Sequence, residues 1–350
     1  MQLEPREETS LWLVIFAPVL AIVVAFILCA GLIIWAGEPV LTAYGLLIKG
    51  AVGSRLAITE TLTRATPLIF TGLAAAVAFR AKFWNIGGEG QLYFGALAAI
   101  IFGTGWVVLP AAVMIPFLFF TGACAGGLAL ILPVFLKTRI GVDEVVTTLL
   151  LNFVILLFVS FLLEGPMKDP MSLGWPQTAP VIPEAELPKL VARSRLHFGF
   201  PMALGAAVLV WFIMRYTSLG FAIRAVGANP TGARFAGISI NRTVIWVAMM
   251  SGGLAGMAGI SEVAGTKGYL TLDLSPGFGY AGIAVAMLAN LHPLGVVLSA
   301  IFLAGIYVGA DSMSRAVNIP NYIADVMVAS SVLAVLVSLM FVQYRVRFRR

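Results

Sequence analysis

Three polar side chains in an otherwise hydrocarbon-like stretch, Glu144, Thr148 and Asn152, recur at steps of four in GVDEVVTTLLLNF. One helix face would therefore carry a carboxylate, a hydroxyl and an amide. Such a stripe could hydrogen-bond a solute of the sugar or heterocycle kind. Upstream, Asn85, Glu89 and Gln91 fall together in NIGGEGQ. Groups like these are costly at membrane depth and point to a solute route. Asp143 and Glu144 have a second reading, as caps of a helix N-terminus, where negative charge is favoured. Glu262 reads as a solvated group near a span end. Asn152 is the better route candidate because it falls near mid-span.

No constellation for catalysis accompanies these residues. His197 and His292 stand apart, without H-E-x-x-H or comparable ligand spacing. The chain has no G-x-x-x-x-G-K-[ST], so it cannot cradle nucleotide phosphates by a P-loop. Cys29 and Cys124 lie in apolar runs without motif spacing, which argues for core positions over disulfides or metal. No enzyme activity, cofactor or metal site is expected in this chain. If energy is used, a partner or an ion gradient supplies it.

A second stretch breaks the hydrocarbon pattern for a different reason. YTSLGFAIRAVGANPTGARFAGISI, residues 216–240, carries Arg224, Arg234 and four glycines, Gly220, Gly227, Gly232 and Gly237. Asn229 is a good N-cap, and Pro230 suits the first helical position, where its missing N–H costs nothing. Gly237 should stop that helix after about two turns. A connection that only reverses the chain needs about two to eight residues. A longer one with its own capped helix, flanked by glycines that read as hinges, presents a surface to a partner.

The elements positioning these residues must be membrane spans. The 350-residue chain is 60% hydrophobic and 11% charged, with a mean hydropathy of +1.00, beyond what a water-facing domain can carry. The net charge of +6 does not mark a nucleic-acid binder, because the basic residues are scattered singly at span ends. At about 20 apolar residues per crossing, ten spans are expected: 11–35, 64–80, 88–104, 106–136, 142–163, 198–216, 243–264, 277–291, 294–310 and 322–341. The fold class is thus an all-α integral membrane protein, a single transmembrane domain over 1–350. The third and eighth segments are short enough to be re-entrant. Residues 37–63 read as an amphipathic connection. The proline-rich 164–197 reads as an external loop with little regular structure. With the N-terminus inside, 13 of the 22 lysines and arginines face inward, a modest bias that places both termini and the 217–240 loop in the cytoplasm. The first ten residues are too polar for a cleavable signal peptide.

Small residues four apart, Gly122–Gly126, Gly252–Gly256 and Gly305–Gly309, let helix backbones approach closely and indicate a dense bundle. NIGGEGQLYFGALAAIIFG and SPGFGYAGIAVAMLANLHPLG also echo each other, five crossings apart. An odd offset would make the symmetry an inverted repeat.

Taken together, ATPLIFTGLAAAVAFRAKFWNIGGEGQLYFGALAA, GVDEVVTTLLLNF and LGFAIRAVGANPTGARFAGI resemble the permease subunits of ABC importers for nucleosides and simple sugars, the branched-chain amino acid/ribose type. The resemblance covers about residues 60 to 340. Its motifs N-I-G-x-E-G-Q and E-V-x-T-x-x-L-N are most similar to the nucleoside subgroup. It implies a type II importer permease of ten spans in the bacterial inner membrane, paired with two ATPase subunits that bind ATP and Mg. It also implies an extracytoplasmic binding protein and a second, non-identical permease. By the motif G-x-x-x-R-A-V-G-x-N-P, the coupling helix would comprise Gly220, Arg224, Ala225, Gly227, Asn229, Pro230, Ala233, Arg234 and Gly237. Asn85, Glu89, Gln91, Glu144, Thr148 and Asn152 are the candidates for the translocation route. The loop after the fifth span aligns poorly with the family pattern.

Three rival readings stand beside this one. The same machine could carry simple sugars, branched-chain amino acids or purine-derived bases. An ion-driven secondary transporter would need an intramembrane ion site, yet the carboxylates lie near span ends and the capped helix would have no task. A channel is disfavoured because no polar ring is visible.

Overall fold

The computed structural model describes residues 2–5, 11–317 and 322–347. Arg6, Arg349 and Arg350, which enter the orientation tally, lie outside the described residues. In chain order the first helices are Leu11–Trp35 (α1), Val40–Val52 (α2), Arg55–Arg80 (α3), Gly88–Gly103 (α4) and Ala111–Ala129 (α5). Next come Ile131–Phe135 (α6), Glu144–Glu164 (α7), Gly199–Tyr216 (α8), Ser218–Ala228 (α9) and Pro230–Phe235 (α10). Ile240–Glu262 (α11), Phe278–Leu288 (α12), Pro293–Ala316 (α13) and Tyr322–Gln343 (α14) complete the set. A two-stranded antiparallel ribbon pairs Gln2–Pro5 (β1) with Tyr344–Arg347 (β2).

Among the described residues, six helices are long and apolar enough to cross a membrane. Leu20–Trp35 and Val40–Val52, bent by 115°, add one more if taken as a single span. Two of the ten expected crossings, α4 with 16 residues and α12 with 11, are too short to cross as helices alone. The expected connection 37–63 is largely helical. Gly53 and Ser54 break the chain, the Ser54 hydroxyl accepts from Ala57 N–H at 3.0 Å, and α3 then starts at Arg55. RLAITETLT contains neither glycine nor proline, so nothing delays that helix to Arg64.

The chain divides into two compact units, Met1–Thr61 with Phe302–Arg350, and Leu62–Ile301. In the first, Ala21, Ala25, Cys29 and Ile33 form one buried stripe along α1, with Cys29 as an ordinary core side chain. Gly309 lies against α2 so closely that a Cβ there would sit 2.3 Å from the Leu47 carbonyl oxygen.

In the second unit, α5 and α11 cross where their glycine pairs face each other. A Cβ on Gly126 would lie 2.1 Å from the Gly252 carbonyl oxygen, and one on Gly256 would lie 2.0 Å from that of Gly122. α4 is pressed into the same seam, because Gly95 would meet the Gly256 carbonyl at 2.0 Å and Gly259 that of Leu92 at 2.0 Å. Apart from Phe94, Ile101 and Phe102, every residue of α4 is buried. Between spans, where water supplies no apolar drive, such backbone contact is the available source of attraction.

The segment after α7 is more ordered than its prolines predict. Val181 N–H donates to Gly268 O (2.8 Å), Ile182 N–H to Gly103 O (2.8 Å) and Leu187 N–H to Ala264 O (2.8 Å). Thr178 is bonded on both sides to Leu270. The segment is therefore laid across the ends of α4 and α11, with Val181, Ala185, Leu187 and Leu196 buried beneath it. Proline needs no donor there, so backbone outside helices can still be satisfied.

Candidate translocation core and coupling surface

After α3 ends at Arg80, the chain turns and runs in extended form along α7 before α4 begins. An extended segment in a bilayer leaves its own N–H and C=O groups without helical partners, so side chains must supply them. The α7 stripe does this rung by rung. Trp84 N–H donates to Glu144 Oε1 at 3.2 Å and Ile86 N–H to Thr148 Oγ1 at 3.1 Å, and in the first turn of α4 Gly90 N–H donates to Asn152 Oδ1 at 2.8 Å. Asn152 Nδ2 donates in return to Ile86 O at 2.9 Å and to the Tyr280 hydroxyl at 3.1 Å. Glu144 is also ion-paired with Lys137. The two readings of the acidic pair thus divide: Asp143 caps α7, accepting from Val145 N–H at 2.7 Å, while Glu144 faces inward.

Asn85 and Gln91 form a reciprocal amide pair, each donating to the other at 2.9 Å. Asn85 Nδ2 also donates to Ser251 Oγ at 2.9 Å, and Ser251 donates to Ala74 O at 2.8 Å. This chain of bonds ties α4 and α11 to α3. Gly87 leaves room for it, since a Cβ there would lie 2.7 Å from Gln91 Nε2.

Glu89, in the first turn of α4, accepts from Gly279 N–H in the first turn of α12 at 2.6 Å. The two N-termini meet so closely that a Cβ on Gly279 would lie 2.1 Å from Glu89 N. Two positive helix ends would repel, and the carboxylate between them offsets that.

All six route candidates therefore gather in one polar bracket. Gln91, Thr148 and Asn152 are 0% exposed, and Asn85, Glu89 and Glu144 do not exceed 6%. Their bonds are spent on protein backbone, on one another and on the side chains of Lys137, Ser251 and Tyr280. Sequence reasoning missed Ser251 and Tyr280 as members. Ser251 is the polar residue heading a glycine run in SGGLAGMAG, a signal for a buried donor. Tyr280, 38% exposed, carries the bracket toward open surface.

The 217–239 connection contains two helices where one was expected. Thr217 caps α9 by accepting from Gly220 N–H at 3.1 Å, and Asn229 caps α10 by accepting from Gly232 N–H at 3.0 Å, with Pro230 at the first position. α10 ends after six residues, where Gly237 takes φ +82° and Ile238 N–H returns to Ala233 O at 2.9 Å. Gly220 and Gly227 are contact points, not hinges. A Cβ on Gly220 would lie 2.2 Å from Ile213 O, and one on Gly227 would lie 2.0 Å from Arg80 O. α9 is thereby wedged on the ends of α8 and α3, with Arg224 half-buried between the two glycines and Ala225 beside it. Arg234 and Phe235 project outward from α10, Phe235 with 96% exposure, while Ala233 is buried.

At the other end of α11, Glu262 is buried and not solvated as expected; it accepts from the Thr266 hydroxyl at 3.0 Å. His197 is buried just ahead of α8, with Nδ1 accepting from Gly199 N–H at 3.1 Å and Nε2 unpartnered. Burial lowers its pKa to about 4, so the ring is neutral at pH 7.

Residues 57–342 match the family described as branched-chain amino acid transport system / permease component. A glucose ABC transporter permease protein of Haloferax volcanii is 33% identical, over 99% of this chain and 93% of its own. A guanosine ABC transporter permease protein of Bacillus subtilis is 34% identical, over 95% of each chain. A nucleoside ABC transporter permease protein of Lactococcus lactis is 32% identical, over 90% of this chain and 89% of its own. In each of the three organisms a second permease protein of like description also matches, at 24 to 27% identity. The match over residues 57–342, with relatives 32 to 34% identical over most of their length, places the chain in the permease component family of branched-chain amino acid transport systems, as a multi-pass membrane permease.

Proposed function

We propose that this chain is the permease subunit of an ATP-driven ABC importer that carries nucleosides or closely related solutes inward across the bacterial inner membrane. The observation that carries the reading is the capped α9–α10 connection, which ends in the exposed Arg234–Phe235 pair, in a chain of the permease family. An exposed aromatic beside an arginine has the composition of an interface anchor. Two ATPase subunits, holding ATP and Mg, would receive it. α9, wedged on α3 and α8 through Gly220 and Gly227, would pass their motion to the bundle as a rigid lever.

The chain crosses ten times in this reading, with both termini in the cytoplasm. α4 and α12 are half-helices completed by extended backbone. Asn85, Glu89, Gln91, Glu144, Thr148 and Asn152 frame the route by holding those half-helices in place, and Tyr280 is their outlet toward it. The second permease is a non-identical homologue, as the paired permeases of the three relatives support. A binding protein delivers cargo from outside. The nucleoside assignment follows the guanosine and nucleoside relatives. A simple sugar is the second reading, favoured by the glucose relative.

Co-expression with the cognate ATPase tests the reading. The tagged wild-type chain should capture it, and Phe235→Asp, which alters only exposed surface, should lose that capture with normal membrane insertion. Ion-driven uptake in vesicles by a wild type that captures no ATPase would overturn it.

A further inference from the structure

A cleft of about 260 Å³ opens where α3, α8, α9 and the α12–α13 turn converge. Arg80, Arg215, Arg224 and His292 line it together with Trp211, and no acidic side chain does. Arg80 is the last residue of α3, and Arg215 comes one residue before the end of α8. α8 has 18 residues, a rise of about 27 Å, close to the hydrocarbon thickness, so Arg215 lies at a membrane boundary. Trp211 stands one turn deeper on the same helix face, at the depth of an aromatic belt. Met214 and Leu291 give the cleft an apolar wall. Arg224 reaches it because Gly220 and Gly227, four and three residues away on the same face of α9, are pressed on α8 and α3.

Three guanidiniums at headgroup depth, walled by tryptophan and aliphatic carbon, match a phosphodiester joined to a glycerol and acyl chains. Guanidinium groups bind phosphate in a fork geometry, and basic clefts between spans select anionic headgroups. We infer that this cleft is a binding site for an anionic phospholipid headgroup, and that the bound lipid joins α9 to the ends of α3 and α8. The inference rests on the multi-pass reading of the chain and needs no ATPase.

Quenching of tryptophan fluorescence by brominated lipids tests it on the full chain reconstituted in phosphatidylcholine nanodiscs. The Trp211 signal is the part lost in Trp211→Phe. Brominated phosphatidylglycerol should quench that part at about fivefold lower mole fraction than brominated phosphatidylcholine. The preference should vanish in Arg80→Gln/Arg215→Gln. Should that variant fail to insert, unlabelled phosphatidylglycerol should still relieve the quenching in wild type, and unlabelled phosphatidylcholine should not. Equal quenching by both lipids would overturn the site, and so would loss of the preference in millimolar inorganic phosphate, which would mark a free-anion site. Neither result touches the ATPase capture assay, which contains no lipid variable.

Discussion

The Glu89 carboxylate accepts a hydrogen bond from Gly279 N–H at 2.6 Å, joining the first turns of α4 and α12. Both helices start inside the bundle, and their N-terminal N–H groups have no preceding turn to bond. One buried carboxylate serves two helix ends, which makes it hard to replace.

Glu89→Ala should therefore leave Gly279 N–H unpaired and cost about 1 to 3 kcal/mol. Glu89→Gln, which keeps an acceptor oxygen, should cost less. Gly279→Ala should be at least as damaging as Glu89→Ala, because its methyl would collide with Glu89 backbone 2.1 Å away. Melting temperatures of the three purified variants, together with substrate uptake, give the ranking. An unperturbed Gly279→Ala would refute the close contact.

The α7 stripe makes a related prediction. Thr148→Val removes the acceptor of Ile86 N–H at nearly constant volume, so its cost, about 1 to 3 kcal/mol, is that of an unpaired backbone donor. Asn152→Leu strands both Gly90 N–H and Ile86 O and should cost more. Chemical denaturation in detergent should order the variants wild type, Thr148→Val, Asn152→Leu. Reversal of the last two would separate the stripe from the backbone it contacts.

Much of this was legible in the residues. The four-residue recurrence of Glu144, Thr148 and Asn152 gave a polar face, and Asn229, Pro230 and Gly237 gave a capped helix with its limits. What those polar groups bond was not legible. Nothing in GVDEVVTTLLLNF says that its partners are backbone groups of residues 84–90, because that pairing depends on an extended segment inside the bundle. α9 was missed because glycines at 220 and 227 lower helix propensity, and only the ends of α8 and α3 beside them explain why no side chain is tolerated. The order in 165–198 was hidden by its prolines for a similar reason: its hydrogen bonds go to residues far along the chain.

Crossing of α5 and α11 on glycine also predicts a size limit. Gly126→Val would place branched carbon where Gly252 O already lies 2.1 Å from an ideal Cβ. Overpacking of this kind costs about 1 to 3 kcal/mol. Gly305→Val is a useful contrast, because the nearest atom to its ideal Cβ is 3.7 Å away. Folded yield from membranes should fall for the first and hold for the second. Equal yields would remove the glycine seam as a packing determinant.

His197 sets a pH dependence. Its folded pKa, about 4, lies below the unfolded value of about 6.5. Between those values the unfolded chain binds the extra proton, so stability is full above pH 6.5 and falls as pH drops toward 4. His197→Phe keeps a ring against Gly265 but cannot titrate, so it should lose the acceptor for Gly199 N–H and also flatten the profile. Thermal melts from pH 7.5 to 4.5 should show a smaller decline in the variant than in wild type. Parallel curves would mean that another group carries the acid sensitivity.

The cap on α10 separates helix order from surface identity. Asn229→Ala removes the acceptor for Gly232 N–H and should cost the short helix about 1 kcal/mol, while Asn229→Asp and Asn229→Ser keep a capping oxygen. A six-residue helix has little propensity of its own to absorb such a loss. If the helix delivers the force of ATP hydrolysis, transport per ATP hydrolysed should fall in Asn229→Ala and recover in Asn229→Asp and Asn229→Ser. Phe235→Asp should instead abolish ATPase capture with α10 intact. Simultaneous measurement of uptake and phosphate release in proteoliposomes distinguishes the two effects. Unchanged coupling in Asn229→Ala would show that the exposed residues, and not the order of the helix beneath them, make the contact.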